Sequence, residues 1–90
     1  MNVFFTYAIY NKIRNKIYIG HTNNLKERIK RHNSLLPSKS TAYTSKNSGF
    51  WKLIYSEKSK TRKDAMQREK ELKSSRGRKF IRNIIETKPD

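Results

Sequence analysis

The chain opens on a stretch, Val3 to Tyr10, in which aromatic and β-branched residues predominate, and this predicts a strand. Asn11 to Asn15 is polar with an asparagine at each end and reads as a turn. Lys16 to Gly20 then reads as the returning strand. Pairing Tyr7 opposite Tyr18 would make residues 10 and 15 close the hairpin and set both tyrosines on one face. A slip of one residue would put them on opposite faces. Asn24 with Glu27 three positions later has the form of a capping box, with a helix following to about Asn33. Within it Leu25, Arg28, Ile29 and His32 share a face. Asn33 to Gly49 is rich in Ser, Lys and Thr and reads as a long loop, with a role in substrate binding in view. Phe50 to Ser56 predicts a third strand. Thr61 with Asp64 caps a second helix to about Ser74. Gly77 breaks the pattern, and Phe80, Ile81, Ile84 and Ile85 mark a short final helix.

These elements give an α+β fold in the order β-β-α-β-α-α, a small three-stranded antiparallel sheet flanked by helices. Residues 1–86 are read as one domain and 87–90 as a frayed tail.

Composition narrows the partners. Apolar residues are 33% of the chain, lean for a globular core, and aromatic side chains supply much of the packable area. Lys and Arg number 22 against 7 Asp and Glu, a net charge of +15. Self-repulsion of that size points to a polyanion, with nucleic acid leading. An anionic membrane surface is the weaker rival; no apolar run is long enough to span a membrane, and no membrane partner is expected. The absence of cysteine excludes disulfides and thiolate metal sites and fits a cytoplasmic protein.

Several residues carry candidate chemistry, each with a plainer alternative. Glu69 shares a helical face with Ala65 and Leu72. A carboxylate on a packing face costs desolvation unless it is paired, binds a metal or reaches solvent at the edge of the stripe. Tyr7 and Tyr18 are either packed strand residues or phenols close enough to act together. A tyrosine can serve as a base only if a neighbouring cation, such as His21 or a lysine, lowers its pKa. Arg28, on an otherwise packing face, either forms a salt bridge, with Glu69 as one partner, or stabilises charge on a phosphate. His32 either packs and caps its helix or works one turn beyond Arg28. Gly20 either allows close backbone approach or ends its strand. Lys26, Lys30 and Arg31, with Lys70, Lys73, Arg76, Arg78 and Lys79, read as solvated charges or phosphate contacts. Tyr43, Phe50 and Trp51 offer faces for stacking on bases, with Trp51 better placed for a core.

The ordered set resembles the GIY-YIG nuclease family, in particular its small stand-alone bacterial members, which are similar to the N-terminal domain of an excision-repair nuclease. Residues Phe5 to Gly20 look like the family's opening hairpin. Tyr18-Ile19-Gly20 matches the second triplet, and Phe5-Thr6-Tyr7 stands where Gly-Ile-Tyr is expected. Residues Thr22 to Asn33 look like its first helix, Asp64 to Lys73 like the helix bearing its metal-binding glutamate, and Ser74 to Arg78 like the ending of the small members. The resemblance spans roughly residues 3–82. It implies a DNA endonuclease that hydrolyses phosphodiester bonds with one Mg²⁺ (or Mn²⁺) on Glu69. Tyr18 would be the general base, with Tyr7 positioning water or phosphate or the two exchanging roles. Arg28 would stabilise the transition state, and His32 would bind phosphate or pass a proton. Gly20, His21, Lys26, Lys30, Arg31, Lys73, Arg76 and Arg78 would face the nucleic acid. One departure stands out: Ile81 sits where many members carry an asparagine. With the altered first triplet, it motivates an alternative, a non-catalytic basic nucleic-acid-binding module on the same scaffold. Substrate form, whether single-stranded, branched or duplex, and DNA repair as the setting are left open. A domain this small leaves room for a protein partner that supplies specificity.

Overall fold

A computed structural model describes residues 3–33 and 50–87. The elements are β1 (Phe4–Asn11), β2 (Lys16–Thr22), α1 (Leu25–His32), β3 (Lys52–Ser59), α2 (Arg62–Lys73) and α3 (Ser75–Thr87). The strands form one antiparallel sheet in the order β2-β1-β3. This is the α+β arrangement expected from the sequence. The expected loop, and Tyr43 within it, lie largely outside the described residues.

Because β1 is the central strand, both its faces must be covered, and its side chains alternate between two cores. Ala8 points to one face, with Ile19, Leu72 and Ile81. Tyr7 and Ile9 point to the other, with Trp51, and Tyr18, Leu25, Ile29 and Leu53 pack around them. Thus α2 and α3 cover one face and α1 the other. Thr6 fastens α2 to β1 by donating to the Ala65 carbonyl at 2.9 Å.

The caps form where the polar residues predicted them. The Asn24 side chain accepts from the Glu27 amide at 3.2 Å, and Thr61 accepts from the Asp64 amide at 3.1 Å. Asn33 closes α1 differently. Its side chain exchanges two hydrogen bonds with the backbone of Trp51, at 2.6 and 3.0 Å, which ties the end of α1 to the entry of β3.

Three local expectations change. The hairpin pairs Tyr7 with Gly20 and Ile9 with Tyr18, and Asn11 with Lys16 closes it. The register therefore differs by two residues from the one expected. The turn takes up the difference, with Asn15 at a φ of 55° and the buried Asn11 side chain accepting from the Arg14 amide. A shift of two preserves the facing of every side chain, so the tyrosines still share a face, now diagonally. Gly20 lies within β2 rather than at its end. Finally, α3 begins at Ser75, so Gly77 sits inside its first turn.

Gly77 is needed there for space. A Cβ at this position would lie 2.4 Å from the Glu71 carbonyl oxygen and from Leu72 Cα, both backbone atoms of α2. Main chain cannot swing aside as a flexible side chain can. Gly77→Ala should therefore cost about 2 kcal/mol through overpacking, lowering the thermal midpoint by roughly 10 °C in a domain of this size. A melt followed by far-UV circular dichroism measures it.

Candidate active site

The register brings Tyr7, Tyr18, Arg28 and His32 together on the α1 face of the sheet. The rings form a cluster: Tyr7 and Tyr18 are 6.3 Å apart between centroids, Tyr18 and His32 4.7 Å, Tyr7 and His32 5.8 Å. Tyr7 is fully buried and Tyr18 only partly. The space for the Tyr7 ring comes from its strand partner. A Cβ on Gly20 would sit 2.8 Å from the Tyr7 hydroxyl and 3.0 Å from Tyr18 Cε2. The glycine admits two phenols side by side over the backbone.

Burial separates the roles of the two tyrosines. Desolvation raises the Tyr7 pKa well above its usual value, the neighbouring Tyr18 adds to this, and the Arg28 guanidinium pulls the other way without overcoming it. Tyr7 therefore stays a neutral phenol. Its hydroxyl lies 2.8 Å from His32 Nε2. His32 is buried, and burial, followed by the positive charge of Arg28, lowers its pKa to about 4, so the ring is neutral near pH 7. With Nε2 bare it accepts the Tyr7 hydroxyl proton; with Nε2 protonated it donates and leaves the hydroxyl free for another acceptor. His32 Nδ1 has no hydrogen-bond partner among the described residues.

That depressed pKa makes a pH prediction. The unfolded histidine titrates near 6.5 and the folded one near 4, so between these values the unfolded chain binds more protons. Stability should be intact above about pH 6.5 and fall toward pH 4, by up to roughly 3 kcal/mol. Urea midpoints across this window will show the slope, and His32→Gln should flatten it.

Glu69 approaches from the other side. By strand alternation His21 faces α2, opposite to Gly20 and Tyr18. Its Nδ1 meets Glu69 Oε1 at 2.5 Å, while Lys73 Nζ meets Oε2 at 2.7 Å. Partial burial works against the Glu69 charge, but the hydrogen bonds from His21 and Lys73 outweigh it and hold the carboxyl below the ordinary range. The salt bridge to Glu69, the plainer alternative for Arg28, is not formed: Glu69 takes these two partners instead, and among the described residues Arg28 forms no ion pair. Since β2 is the edge strand, its Gly20–His21 step is where the two faces meet. The Glu69 charge still reaches Tyr7 and contributes to raising its pKa.

The family described as the GIY-YIG catalytic domain matches residues 3–83. The chain belongs to the GIY-YIG family. That family is one of nucleases, and the fold is accordingly of nuclease type. A UPF0213 protein from Bacillus halodurans, solved by solution NMR, is similar in structure, with a TM-score of 0.52 and 25% identity over 92% of this chain and 85% of the other. No curated protein matches.

Within the GIY-YIG frame the remaining sequence candidates can be placed. Lys26 and Lys30 are exposed on α1, and Arg31 is 3.6 Å from Glu27 in an i,i+4 pair. Arg76 and Arg78 are exposed at the start of α3, with Arg78 Nε donating to the Lys73 carbonyl. Phe50 is exposed, whereas Trp51 is wholly buried in the core beneath Tyr7. Ile81, at the position of the absent asparagine, is a buried core residue. The contact between His21 and Glu69 was missed by sequence reasoning. The signal for it lay in strand alternation, which puts the residue after Gly20 on the opposite face.

Metal chemistry is judged by the donor set. Each Glu69 oxygen is engaged once, and an ionised carboxylate has about four lone-pair sites in all, so acceptor capacity remains. Among the described residues no group of three or more His, Cys, Asp or Glu gathers at one point. One hard oxygen donor with few protein ligands suits Mg²⁺, which keeps much of its water shell, better than Zn²⁺. Among the described residues no helix is long and apolar enough to cross a membrane.

Proposed function

We propose that this protein is a metal-dependent DNA endonuclease in which Tyr18 acts as general base, Arg28 stabilises the phosphate and Glu69 holds one Mg²⁺ or Mn²⁺. The observation that carries the reading is the convergence of two tyrosines, a neutral histidine and an arginine, over a glycine, next to a carboxylate kept ionised by two basic partners. The metal, when bound to Glu69, would withdraw charge from the phosphate being attacked. Every other task falls to the chain. Tyr18, partly exposed where Tyr7 is sealed, is the tyrosine that water can reach, and as its phenolate it takes the proton while the water oxygen bonds to phosphorus. Tyr7, held by His32, orients the water or a phosphate oxygen. Arg28 meets the negative charge that builds on the non-bridging phosphate oxygens as the ester P–O bond breaks, and the leaving alkoxide takes its proton from water. Lys26, Lys30, Arg31, Arg76 and Arg78 contact the backbone of the nucleic acid.

The test is incubation of labelled single-stranded, duplex and flap DNA with Mg²⁺ or Mn²⁺, with and without EDTA. Metal-dependent strand scission is expected, and the substrates are ranked in the same gel. Binding in every lane without cutting would replace this reading by the non-catalytic module, which the altered first triplet and Ile81 favour. Gly20→Ala makes a finer test. The added methyl must displace the Tyr7 hydroxyl, and misplacement of that order costs about 10²-fold in rate. Initial rates at saturating substrate, compared with the native protein, will measure it.

A further inference from the structure

Charge is not spread evenly around α2. Asp64, Arg68 and Glu71 recur at i, i+4 and i+7 on one flank, and there Arg68 binds Glu57 of β3 at 2.5 Å and Glu71 at 2.6 Å. That flank is acidic, with three carboxylates set against the one Arg68 guanidinium. The opposite flank carries Arg62, Met66, Glu69, Lys70 and Lys73, again at helical spacing, with Lys63 beside them. Its one carboxylate is Glu69. Arg62, Lys63, Met66, Gln67 and Lys70 line a shallow groove of about 440 Å³ in which Met66 is half exposed. Arg62 is steadied by the Phe4 ring, 5.1 Å from its guanidinium carbon.

The row of cations runs into the site. Lys70 and Lys73 are neighbours on the helix surface, and Lys73 already touches Glu69. From Lys63 to Lys73 the helix rises about 15 Å. Roughly four phosphates of one strand fit that length at 3.4 Å of duplex axis each. A solvated helix face needs no segregation of sign, and here both acids other than Glu69 lie across the helix.

We propose that this flank of α2 is a track for the sugar-phosphate backbone of one strand of bound nucleic acid, leading it along Lys63 and Lys70 to Lys73 and Glu69. The track rests on the nucleic-acid substrate proposed above and names the surface that selects it. Lysines supply the charge and Met66 an apolar rest for a sugar or base.

The experiment measures binding of a fluorescent DNA oligonucleotide over a range of salt, in a Glu69→Ala background that prevents cutting. Lys63→Gln with Lys70→Gln should weaken binding roughly tenfold near 0.1 M salt and flatten the log–log salt slope by about 1.5, as expected for two lost phosphate contacts. Lys63→Arg with Lys70→Arg should restore both. Lys16→Gln with Lys58→Gln, which removes the same charge elsewhere, should leave the slope unchanged. An equal loss in the two glutamine pairs, or none in the α2 pair, overturns the track. Native protein that cuts DNA while the α2 pair binds normally keeps the nuclease reading and discards the track. Native protein that never cuts, with the slope lost only in the α2 pair, does the reverse.

Discussion

Glu69→Ala should abolish DNA cleavage, a loss of at least about 10³-fold, while leaving most DNA affinity in place. The effect should be this large because, among the described residues, the other carboxylates with ion-pair partners are engaged away from Glu69. Glu57 and Glu71 are bound to Arg68 on the far flank of α2, and Glu27 pairs with Arg31 on α1. Removing one carboxylate from a site whose work is electrostatic costs more than any single phosphate contact. Affinity should survive because the positive charge of the protein rises from its native +15 when an acid is lost. The fold should survive as well, since Glu69 is partly exposed and its partners, His21 and Lys73, can turn to water. Gel assays of cleavage beside anisotropy measurements of binding separate the two properties. Near-native cutting by Glu69→Ala would sink the proposed mechanism.

Trp51→Ala should cost about 3–5 kcal/mol, enough to consume most of the stability of so small a domain. Trp51 is the largest fully buried side chain and fills the α1 face beneath Tyr7 and Ile9. Truncation leaves a cavity that a three-stranded sheet cannot collapse around, because β1 is pinned by both neighbours. The backbone of the same residue is clamped by Asn33, so the cavity cannot close by drawing β3 inward without breaking two hydrogen bonds. Urea unfolding followed by far-UV circular dichroism gives the loss directly. Trp51→Phe, which keeps most of the volume, should lose less than half as much. Since Tyr7 rests on this core, activity and fold should fail together in Trp51→Ala, whereas in Glu69→Ala activity should fail while the fold remains. The two variants thus distinguish a broken scaffold from a missing charge.

Most of the architecture is legible in the chain because local rules agree with one another. Asn24 and Thr61 announce their helices through side-chain oxygens that reach amides three residues on. The alternation of Tyr7, Ala8 and Ile9 marks a strand buried on both sides, with packing helices on each face. Facing is equally local: Tyr7 and Tyr18 remain together although the register differs by two, because side-chain direction depends only on parity. Gly77 is the counter-example. Its breaker character is read from propensity, yet the residue lies in a helix because two backbones must touch there.

The sequence by itself therefore determined the elements, their order, the faces they bury and a strong positive charge that calls for a polyanion. The tertiary structure alone decided the register of the hairpin, the burial that keeps Tyr7 a phenol and His32 neutral, and the partners of Glu69. Those properties depend on atoms distant in the chain, as when His21 and Glu69 meet across 48 positions. No local preference encodes such a distance. It is set by how α2 seats against the edge of the sheet, where packing of the whole core decides which charges meet.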